Sequence, residues 1–244
     1  MELCNLNQSR EAVLDELVAR LGNDFGQDLF NLRNAYLNVH VEWRFYRSMF
    51  GTNPERVELL NSCSGIFAVV LEKTLFESVI LTLCRLLDPV EMGHPPKTRR
   101  NMTLQRLTEY MDGEIRIEYE SKLDVLKEQS GFARDWRNRR IAHSDYYVSS
   151  GSANLEAASR AKVQTVLDLS GDLLVFVYER LLDTHLVLDP ILSLEDEMRV
   201  LRLLHSGLQL EASDKAARKA AISEGSFERF PNREVPDWLA SSTN

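Results

Sequence analysis

Between residues 131 and 143 the chain gathers Arg134, Arg137, Arg139, Arg140 and His143 against one acid, Asp135. Histidine exchanges a proton near neutral pH, and guanidinium groups hold anions through a fixed fork of N–H donors. Stepping 100° per residue along a helix puts Arg137 on one stripe with Leu123, Leu126, Ala133 and Ile141, and His143 on another with Phe132, Trp136 and Arg139. An arginine in line with core residues is either neutralised by a buried carboxylate or reaches into a cleft, because an unpaired buried charge is costly. On an unbroken helix, Arg137 and His143 stand about 120° apart around the axis and about 9 Å apart along it, whereas Arg139 is at i, i+4 from His143. Either the helix ends between Ile141 and His143, or Arg139 is the true neighbour. Bases in a last helical turn also interact well with the helix dipole, so the same cluster can equally serve as a C-terminal cap.

The elements that must position these residues are helices. Eleven glycines and seven prolines in 244 residues leave little room for the turns of an all-β fold. The predicted class is all-α, a helical bundle with additional C-terminal helices and a loose tail. Apolar spacing predicts a first helix from Ser9 to Leu21, closed by Gly22, and a second from about Asp28 to Phe50, stopped by Gly51. Thr52 and Glu55 have capping-box spacing around Pro54, and the helix they open is expected to run to Leu87, where Asp88-Pro89 ends it. Apolar almost all round from Ile66 to Leu87, it reads as the central, most buried helix. A short helix capped by Thr103 reaches Met111, Asp112-Gly113 opens a long stretch from about Glu114 to Ala142, and two more helices cover about Asn154 to Asp183 and Leu192 to Leu210. Residues beyond about 224 read as a loose tail.

Charge is unevenly distributed. The net charge of −8 is wrong for a general nucleic-acid binder. Yet Met92 to Thr108 contains Lys97, Arg99, Arg100 and Arg106 with no acid, and Gly131 to His143 carries a net +3. Together the two islands hold +7, so the rest of the chain holds −15. This suits a focused anion site on an acidic body, or else two ordinary basic loops.

Cys4, Cys63 and Cys84 show no CxxC spacing, and Cys63 and Cys84 fall within apolar helical patterns. A reducing, cytoplasmic setting follows, with no structural zinc. The N-terminus has no basic and apolar leader pattern, and no run of about 18 apolar residues suggests a membrane span. His94 lies in a proline-containing loop without a second ligand at metal spacing, and His40, His185 and His205 sit singly on helices. Dinucleotide, Walker and nucleophile-elbow motifs are missing, and Trp43, Tyr46 and Phe50 have the spacing of core residues. Neither a cofactor nor a metal is expected.

Arg137-Asn138 followed by four residues and His143, at the end of a long helix in an all-α chain, resembles the Arg-polar-x(3 to 5)-His pattern of the HEPN superfamily. Cys84-Arg85-Leu86-Leu87-Asp88-Pro89, the Met102-Thr103-Leu104 helix start and Trp136 to Asp145 resemble its AbiU-type abortive-infection branch, over roughly residues 30 to 190. The resemblance implies a HEPN-like domain over 1–190 and a C-terminal helical extension and tail over 191–244. It also implies a symmetric dimer whose motifs face one shared cleft and, in active members, RNA cleavage without a metal ion. By that carry-over Arg137 and His143 are the catalytic pair and Asn138 a polar helper, while Arg139, Arg140 and Asp145 shape the phosphate site. Histidine suits removal of a ribose 2′-OH proton, and arginine suits charge developing on the attacked phosphate. The expected partners are RNA, a second copy of the chain and an antitoxin or defence protein, with no membrane and no DNA. A non-catalytic helical module using the same basic cleft for RNA, a nucleotide or a protein is the alternative.

Overall fold

The computed structural model describes residues 2–3, 10–93, 95, 97–143, 145–188 and 196–225. The expectations for Cys4, Ser9, His94, residues 192–195 and the tail beyond 225 lie outside these.

The fold is all-α. Helix α1 (Arg10–Leu21) turns at Gly22, whose φ of 84° favours glycine, straight into α2 (Asn23–Tyr46), five residues earlier than expected. A Cβ on Gly26 would stand 2.7 Å from the α1 backbone at Leu17 and Val18, so glycine there allows the two helices to pack closely. α2 ends in a π-helical turn, Arg47–Gly51. α3 (Pro54–Leu87) follows, capped by Asn53, whose side chain accepts from the N–H groups of Glu55 and Arg56. The expected Thr52 cap is therefore corrected by one residue: the Thr52 hydroxyl donates back to Arg47 O instead.

α3 also departs from the expectation of the central, most buried helix: the later helix Arg160–Leu182 buries more of its residues. Ser64 has extended dihedrals (φ −168°, ψ 106°), and its hydroxyl accepts from Phe67 N, starting the helix afresh. Val79, Ile80, Leu83 and Cys84 beyond it are buried, but Ile66, Phe67, Val69 and Val70 are exposed, Ile66 at 83%. Apolar composition all round a helix implies something to cover every side, and the described residues cover only one here.

The remaining elements carry the chain on from α3. Leu104–Tyr110 is a 3-10 helix, not α, and the Thr103 side chain makes no capping bond. The expected long helix from Glu114 to Ala142 is three pieces: α4 (Gly113–Gln129), α5 (Gly131–Trp136) and a π-helical turn, Arg137–Ile141, with the first break at Ser130. A four-residue turn α6 (Tyr146–Ser149), then α7 (Arg160–Leu182) and α8 (Asp196–Ser223), complete the helices among the described residues. Two pairs of two-residue strands are the extended pairings there: β1 (Glu2–Leu3) with β4 (Thr184–His185), and β2 (Glu91–Met92) with β3 (Arg99–Arg100).

The main core joins Leu29, Val39 and Trp43 of α2 to Leu83 of α3, Tyr119 and Leu126 of α4, Phe132, and Val163 and Val177 of α7. Trp43 donates to the Gln164 side chain at 2.9 Å, satisfying its indole N–H. α8 is held at its first turns, where Arg44 meets the buried Glu197 and Leu201 joins a small cluster with Met49, Leu60 and Ala68.

Candidate active site at the Arg137 turn

The π turn is closed by Ala142 N donating to Arg137 O at 2.8 Å, and Asp145 N returns to Arg139 O at 3.1 Å. The helix therefore ends before His143, which is the first of the two geometries the sequence left open. His143 lies in a bend, exposed to solvent, with no hydrogen bond or ion pair to any described residue.

Arg137 has the carboxylate partner that its stripe required. Its Nη1 lies 2.5 Å from Asp88 Oδ1, and its Nε donates to Asn138 Oδ1 at 3.1 Å. Burial works against the Arg137 charge, but the hydrogen bond and charge of Asp88 outweigh it, so the guanidinium is held above its ordinary value. Beneath the pair, burial pushes the Cys84 thiol up to about 11, against the lowering pull of Arg137. Asp88 is the residue that sequence reasoning used only as a helix stop. The signal that could have promoted it was the need of an in-line arginine for a carboxylate, but that acid lies 49 residues upstream.

Arg139 is likewise committed, 3.3 Å from Asp135 and 3.7 Å from Asp145. Asp145 also caps α6 by accepting from Val148 N at 3.0 Å. Asp135 accepts from Glu156 N, and Trp136 donates to Glu156 O at 2.8 Å, which pins the segment ahead of α7 against the site. Arg134 reaches Leu87 O at the end of α3. Arg140 differs: it is exposed, makes no ion pair with a described residue and lies over the Trp136 ring at 5.2 Å. It borders an open groove of about 460 Å³, walled by Tyr46, Phe76 and Trp136 with Glu72, Lys73 and Glu77 at its rim. The positive charge of this second island is thus mostly balanced by three carboxylates, leaving Arg140 and His143 outward.

The first basic island does not join this site as a set of free cations. Arg106 pairs with the nearly buried Asp28, which also accepts from the Tyr110 hydroxyl at 2.6 Å, and Arg100 is 2.7 Å from Glu109. Charge read along the sequence could not see these acids, which arrive from α2 and from the 3-10 helix. Among the described residues, no group of three His, Cys, Asp or Glu side chains is placed to hold a metal ion, and no helix is long and apolar enough to cross a membrane.

Residues 16–200 match the HEPN_AbiU2 (AbiU2) family. The chain belongs to this family. The match takes in α2, α3, Asp88 and the whole Arg137–Asp145 segment. No curated protein and no solved structure matches the chain significantly.

Proposed function

We propose that this AbiU2-family chain is a metal-independent endoribonuclease of a phage-defence or toxin–antitoxin type system. The observation that carries the reading is the exposed His143, without a partner among the described residues, beside arginines fixed in place by Asp88, Asp135 and Asp145. A base must be free to take a proton, and charge-stabilising groups must be held still before the charge develops.

In this reading His143 removes the proton from a ribose 2′-OH, and the oxygen attacks the adjacent phosphorus. The P–O5′ bond breaks, the departing oxygen takes a proton from water, and a 2′,3′-cyclic phosphate remains. Arg137 faces the phosphate with the Nη2 donors that Asp88 and Asn138 leave unused. Arg139, Arg140 and Asp145 shape the place where the phosphate sits. A second copy completes the cleft, with the exposed Ile66 to Val70 strip of α3 as the apolar part of the interface.

The neutralisation of Arg137 and Arg139 favours a second reading, a non-catalytic module that binds RNA, a nucleotide or a protein partner such as an antitoxin on the same surface. Incubating the purified chain with total RNA in EDTA, beside His143→Ala, decides between them. Cleavage by the wild type alone supports catalysis, whereas equal cleavage by both, or none by either, removes it.

A further inference from the structure

We propose that RNA also binds at a second, non-catalytic place: a basic groove where the π turn after α2 meets the starts of α3 and α7. This rests on the ribonuclease reading above.

Two adjoining hollows of about 490 and about 260 Å³ share Gly51, Thr52 and Arg160 as walls. Arg47 lines one of them, and Arg56 stands beside them, bonded to Ser48 O at 2.8 Å. The three arginines come from residues 47, 56 and 160, so no basic run in the sequence marks the place.

Their partners distinguish them from the arginines of the candidate active site. Arg47 donates to the neutral Gln164 side chain at 2.8 Å, Arg56 to Ser48 and Thr52, and Arg160 bonds to no described residue. None of the three is in an ion pair with a described residue, while Arg137 and Arg139 face three carboxylates between them. Glu58 is the one carboxylate among the residues lining the two hollows. The fold thus brings three guanidinium groups without a paired acid to one place on an acidic chain, where phosphates would be drawn.

The place neighbours the active-site groove. Tyr46 and Ala158 line that groove, Arg160 lies two residues beyond Ala158, and its charge is felt at Tyr46, whose hydroxyl is raised by burial and Glu72 and lowered by Arg160. A single strand leaving Arg140 past the Trp136 and Tyr46 walls would reach Arg160 and Arg47 next. Aromatic walls followed by a basic groove form a surface that a single-stranded nucleic acid fits better than an acidic peptide does.

The test is fluorescence anisotropy with a labelled 2′-O-methyl RNA oligonucleotide of about twenty nucleotides, which the proposed chemistry cannot cleave, across a salt series. The full chain is compared with Arg47→Gln/Arg160→Gln and with the charge-keeping Arg47→Lys/Arg160→Lys. The Gln pair should bind at least about tenfold more weakly, and its salt slope should fall by about 1.4 for two lost phosphate contacts on a single strand. The Lys pair should keep most of the affinity and slope. Equal binding by wild type and the Gln pair overturns the groove while leaving the ribonuclease reading to the EDTA assay. Equal weakening in both pairs shows a packing role and overturns it too. A wild type that binds no RNA at low salt overturns it outright, and cleavage of total RNA then decides the broader reading separately.

Discussion

Arg137 Nη1 and Asp88 Oδ1 stand 2.5 Å apart, joining the π turn to the residue that ends α3. Both side chains are mostly shielded, at 24% and 17% exposure. Removing the acid strands a cation in a place of low dielectric. Asp88→Asn should therefore destabilise the fold by about 2–3 kcal/mol, at or below the lower end of the range for fully buried pairs. A double-mutant cycle with Arg137→Gln should show coupling between the two sites in denaturant unfolding. Additive effects would show that the pair is not a unit. RNA cleavage should fall in Asp88→Asn even at temperatures where it remains folded.

The pair at Asp28 is structural. Arg106 and Tyr110 both donate to its carboxylate, and Asp28 is only 7% exposed. Asp28→Ala should cost about 3 kcal/mol or more, while Tyr110→Phe, which removes one donor, should cost about 1 kcal/mol. Anisotropy with the same RNA probe should find Asp28→Asn and Arg106→Gln binding unchanged while folded. A large loss of RNA affinity in Arg106→Gln would return the first basic island to the binding surface.

How far these relations could be read in advance depended on their distance along the chain. The order of helices, the stop at Asp88-Pro89 and the burial of Leu123, Leu126 and Ala133 follow from local spacing and turn chemistry, and the structure has them. The break at Ser130 was missed because apolar stripes survive a single kinked turn, and Ser130 is itself buried, its hydroxyl bonded back to Lys127 O. The π turn at Arg137 has no signature in periodicity. The acids Asp88, Asp28 and Glu109 had no visible link to their arginines, since ion pairing across a fold is fixed by packing and not by spacing. For the same reason the groove at Arg47, Arg56 and Arg160 could not be found by searching for basic runs.

Cys84 offers a pH readout of the ground beneath the site. Burial raises its thiol to about 11, so the folded state disfavours the thiolate that an unfolded chain forms near 8.5. The stabilising effect of keeping the thiol neutral is fully present below the unfolded value and is lost as pH rises towards about 11. Wild type should lose stability over that window relative to its own value at pH 7, and Cys84→Ala should lose less, as followed by urea titration at each pH. At neutral pH iodoacetamide, which reacts with the accessible thiolate, should label the half-buried Cys63 before Cys84. Prompt labelling of Cys84 in the folded chain would contradict its burial.

The exposed half of α3 bears on whether one chain suffices. Ile66, Phe67, Val69 and Val70 are 83, 54, 63 and 57% exposed, a contiguous apolar strip one residue from the Ala68 that packs inward. Val69 also lines the groove that Arg140 borders, so whatever covers the strip lies beside the candidate site. In a two-fold dimer the strip meets its own copy, and each substitution is made on both sides of the interface at once. Phe67→Asp/Val70→Asp places four carboxylates against one another in such a contact but leaves them in solvent on a monomer. Sedimentation velocity at micromolar concentration should give a dimer for wild type and a monomer for this variant. Ile117→Asp, at an equally exposed apolar site on α4, should leave the dimer intact. The monomeric variant should keep its helical circular dichroism yet lose RNA cleavage, because each site would lack the facing His143 segment. Full cleavage by a wild-type monomer would show that a shared cleft is not needed.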